Sequence, residues 1–207
     1  MCAMSFSHGA IIVLAVEIYL TLPSACHTSF LIPKTRIMQT REARKSKRDI
    51  FFCQDGGYDT HSYLDMNLIN NFSRINTALQ AFIDELKVLD LWESTVLVQF
   101  SEFSRTLDPN TGEGSDHAWG GTHFMFGGGV KGGQVLGKFP KEFEQGDADN
   151  LALSRGRMIP TSPWDSMWYG VAEWFGVNAT SPDMDKVLPM HKNFPSDVLY
   201  DKNQLFL

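Results

Sequence analysis

The sequence predicts an α/β fold with parallel strands at its centre, and three consecutive segments carry that expectation. Asp49–Cys53 is a short apolar run stopped by Asp55-Gly56-Gly57, the pattern of a buried strand and its exit turn. Leu68, Phe72, Ile75, Leu79, Phe82, Leu86 and Leu89 then recur at alternating spacings of four and three, which lines one face of a helix over Met66–Leu91. Thr95–Phe100 is a second buried strand. Strand, helix and strand of this size make a right-handed crossover that joins parallel neighbours.

The segment before this unit has a different character. Ala10–Leu22 is apolar apart from Glu17, and Pro23-Ser24-Ala25-Cys26 follows it. The length suits the apolar region of a secretory leader, and Leu22–Cys26 is similar to a lipoprotein cleavage site. Lys34, Arg36, Arg41, Arg44, Lys45, Lys47 and Arg48 form a basic stretch that reads as a solvated arm. Residues 1–48 are therefore expected to be a leader with a basic arm, which favours a secreted or periplasmic protein, and 49–207 the folded body. A tether that uses Ala10–Leu22 as a membrane anchor is the alternative.

After the second strand, Arg105–Thr122 is a long loop, and Thr122–Phe126 is an apolar strand with no helix before it, hence antiparallel. Gly127–Gly133 is a glycine-rich turn from which Gln134–Leu136 extends a hairpin; it lacks the Gly-Lys-Ser/Thr ending of a phosphate loop. Thr161-Ser162-Pro163 caps a helix over Trp164–Phe175 that stops at Gly176, with Met167, Val171, Trp174 and Phe175 as its buried stripe. Beyond Asn178 the expectation is loops and a surface tail.

Composition narrows the function. Hydrophobic residues make up 43% of the 207 and charged ones 20%, a globular balance, and the net charge is −6. Residues 1–48 hold seven Lys/Arg against two acids, whereas the rest holds 11 bases against 22 acids. Such an acidic body argues against nucleic acid, because phosphate binding needs basic surface. Cys2, Cys26 and Cys53 form no Cys-x-x-Cys and no disulfide framework, and Cys53 reads as a buried small hydrophobe. The sequons at Asn71 and Asn178 are compatible with export.

In open α/β sheets ligands bind beyond the carboxyl ends of the strands. Asp59-Thr60-His61 follows the first strand of the body and Glu102 the second, while Ser115-Asp116-His117 precedes the antiparallel return. Asp59, His61, Glu102 and His117 are thus expected to converge as oxygen and imidazole donors at one sheet edge. Mixed donors of this kind suit zinc, manganese or iron rather than calcium or magnesium. Such an ion would polarise an ester oxygen or lower the pKa of a bound water. Arg105 fits either a bidentate contact to an oxyanion or an ion pair with a neighbouring acid. His123 reads as a packed histidine, and Asp116 and His191 as outer partners of the ligands.

With those residues in view, the chain resembles the sulfatase-like domain-of-unknown-function 1501 family, a branch of the alkaline phosphatase superfamily. The resemblance rests on Gly57–Ser62, Ser101–Thr106, Ser115–Gly120, Phe126–Gly133 and Gly156–Thr161, in that order. It implies a partial α/β/α sandwich with a mostly parallel sheet. It also implies a hydrolase that uses a divalent metal, zinc or manganese, on sulfate or phosphate esters. Asp59 and His61 take the place of one metal-ligand segment, Glu102 of the carboxylate after the next strand, and His117 of the late histidine. One departure stands out: no Cys/Ser-x-Pro-x-Arg signature occurs, and no strand and nucleophile loop is evident before residue 48. The chain is therefore expected to be the C-terminal half of such a domain, completed by a second domain or another copy, or else an inactive scaffold of that fold.

Overall fold

Nine-residue strands compete for the centre of a sheet, and the one that wins here is the apolar run expected as a leader. The computed structural model describes residues 11–19, 31–141, 143 and 151–207. Strand β1 (Ile11–Tyr19) lies between β2 (Arg48–Gly56) and β3 (Thr95–Ser101), parallel to both, and β6 (Phe124–Phe126) closes the other edge. The crossover from β2 to β3 therefore spans β1 instead of joining adjacent strands. Its register runs from Ile11 opposite Arg48 to Tyr19 opposite Gly56, and Ile12–Ile18 pair with Thr95–Ser101. Strand β6 pairs antiparallel with β3, Leu97 opposite Phe126, as its helix-free approach predicts.

Helix α1 (Ile32–Gln39), the short α2 (Arg41–Arg44) and α3 (Leu64–Val88) complete this first unit, which runs to Glu102 and adds His123–Gly129. The basic stretch is not a solvated arm. Leu31, Thr35 and Met38 repeat at helical spacing and are buried, Leu31 and Met38 beside Phe82, Leu86, Cys53 and Leu97 in one core, while the charged residues keep to the outer face. Helix α3 buries Ile75, Phe82 and Leu86 of the expected stripe, with Leu79 and Leu89 packed against the core, and adds Asn71 and Ala78; Phe72 is exposed instead. Burial of Phe82 alone stabilises by about 2–3 kcal/mol. Cys53 is buried as expected; Cys2, Cys26 and the Pro23–Cys26 segment lie outside the described residues.

The expectation of a mostly parallel sheet within a partial α/β/α sandwich is corrected by this topology. Among the described residues three strand pairings are antiparallel (β3 with β6, and two separate two-residue ladders) against two parallel ones, both through β1. A parallel sandwich needs both sheet faces covered. Phe51 and Cys53 of β2 face the core, but the alternate residues Ile50 and Phe52 are 66% and 50% exposed. The fold is mixed α/β.

The second unit, Phe103–Thr122 with Val130–Leu207, contains the two short ladders. Strand β4 (Ser104–Arg105) pairs with β5 (His117–Ala118), and β7 (Ala152–Leu153) with β8 (Arg157–Met158). Helix α4 (Asp165–Trp174) forms near its expected bounds and ends at Gly176, φ +103°, but no side chain caps it. Thr161 instead donates to the Lys138 carbonyl, and Ser162 bonds Tyr200. The tail is not a surface feature: α5 (Pro182–Val187) and the capping-box helix α6 (Lys202–Leu205) bury Met184 and Leu205, and Phe206 stacks on Trp174 at 4.7 Å. No hairpin extends from the glycine-rich turn; Val130 bridges to Phe206 instead.

Candidate functional site

A buried carboxylate ends β2, and the loop that follows is built on it. Asp55 is 2% exposed, which is costly for a charge unless it is paired and hydrogen-bonded. Both its oxygens accept from Arg74 Nη2 of α3 at 2.9 Å, and Oδ2 accepts from the Tyr58 hydroxyl at 2.8 Å. Arg74 also reaches the Gly56 carbonyl, and Asn71 donates to the Gly57 carbonyl at 2.6 Å. Burial, then the bond to Asp55, pushes the Tyr58 phenol well above its ordinary range. For Arg74, burial alone would lower the guanidinium, but the bond and charge of Asp55 outweigh it and raise it. Gly57, at φ +95°, takes a turn that a side chain would resist.

This clamp delivers Asp59-Thr60-His61. The Thr60 and His61 amides bond back to the carbonyls of Tyr58 and Asp59, so the loop is folded tightly on itself. His61 Nδ1 lies 2.9 Å from Asp59 Oδ1, with Asp59 half-buried and His61 exposed. A neutral imidazole that donates from Nδ1 to a carboxylate carries its lone pair on Nε2, the arrangement that orients a histidine for a metal. Glu102, at the end of the same unit, is exposed, and Ser101 Oγ lies 3.2 Å from its carboxylate.

In the second unit, β5 places His117 opposite Arg105 of β4, and the imidazole packs 4.0 Å from the Phe103 ring. Arg105 donates to the Ser115 hydroxyl at 3.1 Å and to the Ser115 carbonyl. The Thr106 amide bonds the Asp116 carbonyl, and the Thr106 hydroxyl accepts from the Asp116 amide. Asp116 itself is an ion-pair partner of Arg155 and accepts from Asn110, whose own oxygen gathers the Gly112 and Gly114 amides. His191 Nε2 pairs with Asp185 at 2.9 Å, beside Tyr169. Lys192 and then His191 hold the Asp185 carboxyl below its ordinary value. His123 is pushed towards neutrality by burial, in keeping with a packed histidine.

Of the residues that the sequence singles out, the structure joins Asp59 to His61 directly. Asp59 and His61, both in the first unit, are candidate ligands of a metal ion; Glu102 ends that unit, and His117 lies in the second. Asn71 spends its side-chain amide on the loop and is 7% exposed, so the first sequon is structural. Asp55, Tyr58 and Arg74 were not foreseen as part of the site. The signal available was the Asp-Gly-Gly-Tyr-Asp run, where a carboxylate precedes a double-glycine turn.

A family model described as "Protein of unknown function (DUF1501)" matches residues 29–152, more than half of the chain. No curated protein and no solved structure gave a match.

Proposed function

The chain belongs to the DUF1501 family, and from that premise we propose that it is a metal-dependent hydrolase domain of the sulfatase or phosphatase type. Its substrates would be small sulfate or phosphate esters. The observation that carries the reading is the clamped Asp59–His61 pair at the carboxyl end of β2. The donor chemistry fits a borderline divalent ion, zinc or manganese, because a carboxylate and an imidazole stand side by side in Asp59 and His61, and His117 is proposed as a further imidazole donor. Glu102 is proposed as a further oxygen donor. The bound ion would act as a Lewis acid on an ester oxygen and lower the pKa of a coordinated water.

The chain's own residues have separable tasks in this reading. Asp59 fixes the tautomer and orientation of His61. Asp55, Tyr58, Arg74 and Asn71 hold the loop so that neither ligand loses order on binding. Arg105, a planar cation already anchored at Ser115, would meet the ester's anionic oxygens. A second reading, a binding domain of this fold without turnover, is favoured by the lack of a Cys/Ser-x-Pro-x-Arg motif in the sequence.

Metal analysis of purified, dialysed protein tests the first reading. About one equivalent of zinc or manganese is expected, with affinity reduced at least about tenfold in His61→Ala and in His117→Ala. Protein that keeps less than about a tenth of an equivalent, or variants that bind as well as the parent, would overturn it. Metal-loaded protein that hydrolyses neither aryl sulfate nor aryl phosphate would select the binding domain.

A further inference from the structure

His117 and Trp119 flank the buried Ala118 on and just past β5, and both are exposed. Trp119 follows His117 by two residues, just past the end of the ladder. Trp119 is 59% exposed, a large aromatic ring left in water. Its backbone is nevertheless fixed. The Gly120 amide donates to the Met158 carbonyl of β8 at 2.9 Å, and a Cβ at position 120 would come within 2.8 Å of that same oxygen.

Arg157, also on β8, carries its guanidinium 5.9 Å from the centre of the Trp119 ring. Two of its donors are committed: Nε bonds the Ser154 carbonyl at 3.0 Å and Nη2 the Ser154 hydroxyl at 2.6 Å. The fork is thus held in one orientation by Ser154. An exposed indole beside a pre-set guanidinium is suited to a ring that bears a negative group. The ring stacks on the indole and the charge meets the fork.

We propose that Trp119 and Arg157 form a recognition platform for the ring of the substrate. They would select sulfate or phosphate esters carried on an aryl or glycosyl ring over acyclic alkyl esters. The proposal rests on the hydrolase reading through His117 and deepens it by naming the substrate class. Trp119 would bind the organic ring and Arg157 the anionic group, and neither is needed to hold the ion.

Isothermal titration of the full chain with para-nitrophenyl sulfate, a monosaccharide sulfate and methyl sulfate tests it, each run with zinc and with a chelator. The parent should bind the ring-bearing anions about tenfold more tightly than methyl sulfate. Trp119→Ala should abolish that preference and Trp119→Phe retain most of it; comparison of the two ring probes tells aryl from glycosyl selectivity. Arg157→Gln should weaken all three anions several-fold. A parent with no ring preference, or Trp119→Ala and Arg157→Gln variants that bind as the parent does, would overturn the platform. Bound zinc, measured on the same samples, decides the metal reading separately: the chelator arm judges the platform even if no ion is held.

Discussion

Replacing Arg74 by alanine removes the charge partner of Asp55 and leaves the carboxylate where it is. The Asp55 side chain is 2% exposed and that of Arg74 23%. After the change, the Tyr58 hydroxyl at 2.8 Å is the remaining side-chain donor among those described at this carboxylate. Breaking a buried pair from one side costs about 3–5 kcal/mol, and the partial solvent access of Arg74 places the expected loss near the lower figure, about 3 kcal/mol. In a chain of this size that is a fall in melting temperature of about 6–12 °C. Urea denaturation, followed by far-ultraviolet circular dichroism, gives the loss directly from the midpoint. Asp55→Asn placed on the Arg74→Ala background should recover part of it, because the orphaned charge is then gone. Metal affinity should fall as well, since the loop that carries Asp59 and His61 loses its clamp although neither ligand is altered. A loss below about 1 kcal/mol, the size expected of a surface pair, or a double variant no better than the single one, would refute the buried-clamp argument.

Three further outcomes follow from individual contacts. Asp49 is held below its ordinary carboxyl range, mainly by the Arg44 hydrogen bond, with Ser46 adding to it against the opposing effect of burial. A folded pKa below the unfolded one means stability that is present above the ordinary value of 3.8 and lost as pH falls through the folded value. Asp49→Asn should therefore flatten the acid limb of a stability–pH curve; an unchanged limb would exclude the pair as a contributor. Tyr58 has the opposite sign: its raised folded pKa gives stability that is complete below the ordinary tyrosine value of 10.0 and declines as pH rises above it. Tyr58→Phe should lack that decline in alkaline denaturation. Gly127→Ala would place a Cβ 2.1 Å from the Thr95 carbonyl, so β6 must part from β3, at a cost of about 1–3 kcal/mol read from the same urea midpoints.

Much of the first unit was readable because its signals are local. The repeat from Leu68 to Leu89 fixes α3, and the apolar run from Thr95 sets β3. The strand at Phe124–Phe126 had to return antiparallel because no helix precedes it. The central strand was not readable, for a physical reason. An apolar stretch that ends near Pro23 and Cys26 satisfies the composition of an export leader and of a buried parallel strand alike, and only the pairing with β2 and β3, far away in sequence, separates them. The basic stretch hid its core residues in the same way. Leu31, Thr35 and Met38 recur at spacings of four and three, yet the charges between them dominate the composition. Leu205 and Phe206 carry too short a pattern to announce a buried helix end, and it is their packing with α4 that makes them core.

The site shows where such reading stops. Asp59 and His61 were legible as a candidate pair, an Asp-x-His segment after a strand, and the structure joins them. Arg74 carries no such signal, since the hydrophobic pattern of α3 favours Phe72 at the turn where Asn71 is the buried residue. With the stripe at Asn71, Ile75 and Ala78, Arg74 lies three and four residues from its ends, on the flank that faces β2. A polar pair on that flank is not a packing error but the partner of Asp55 and of the Gly57 carbonyl. The general consequence is that the candidate ligands of a loop can be read from sequence while their supports cannot. Supports are ordinary residues whose value depends on what the fold buries beside them, and here that is one carboxylate at the end of an edge strand.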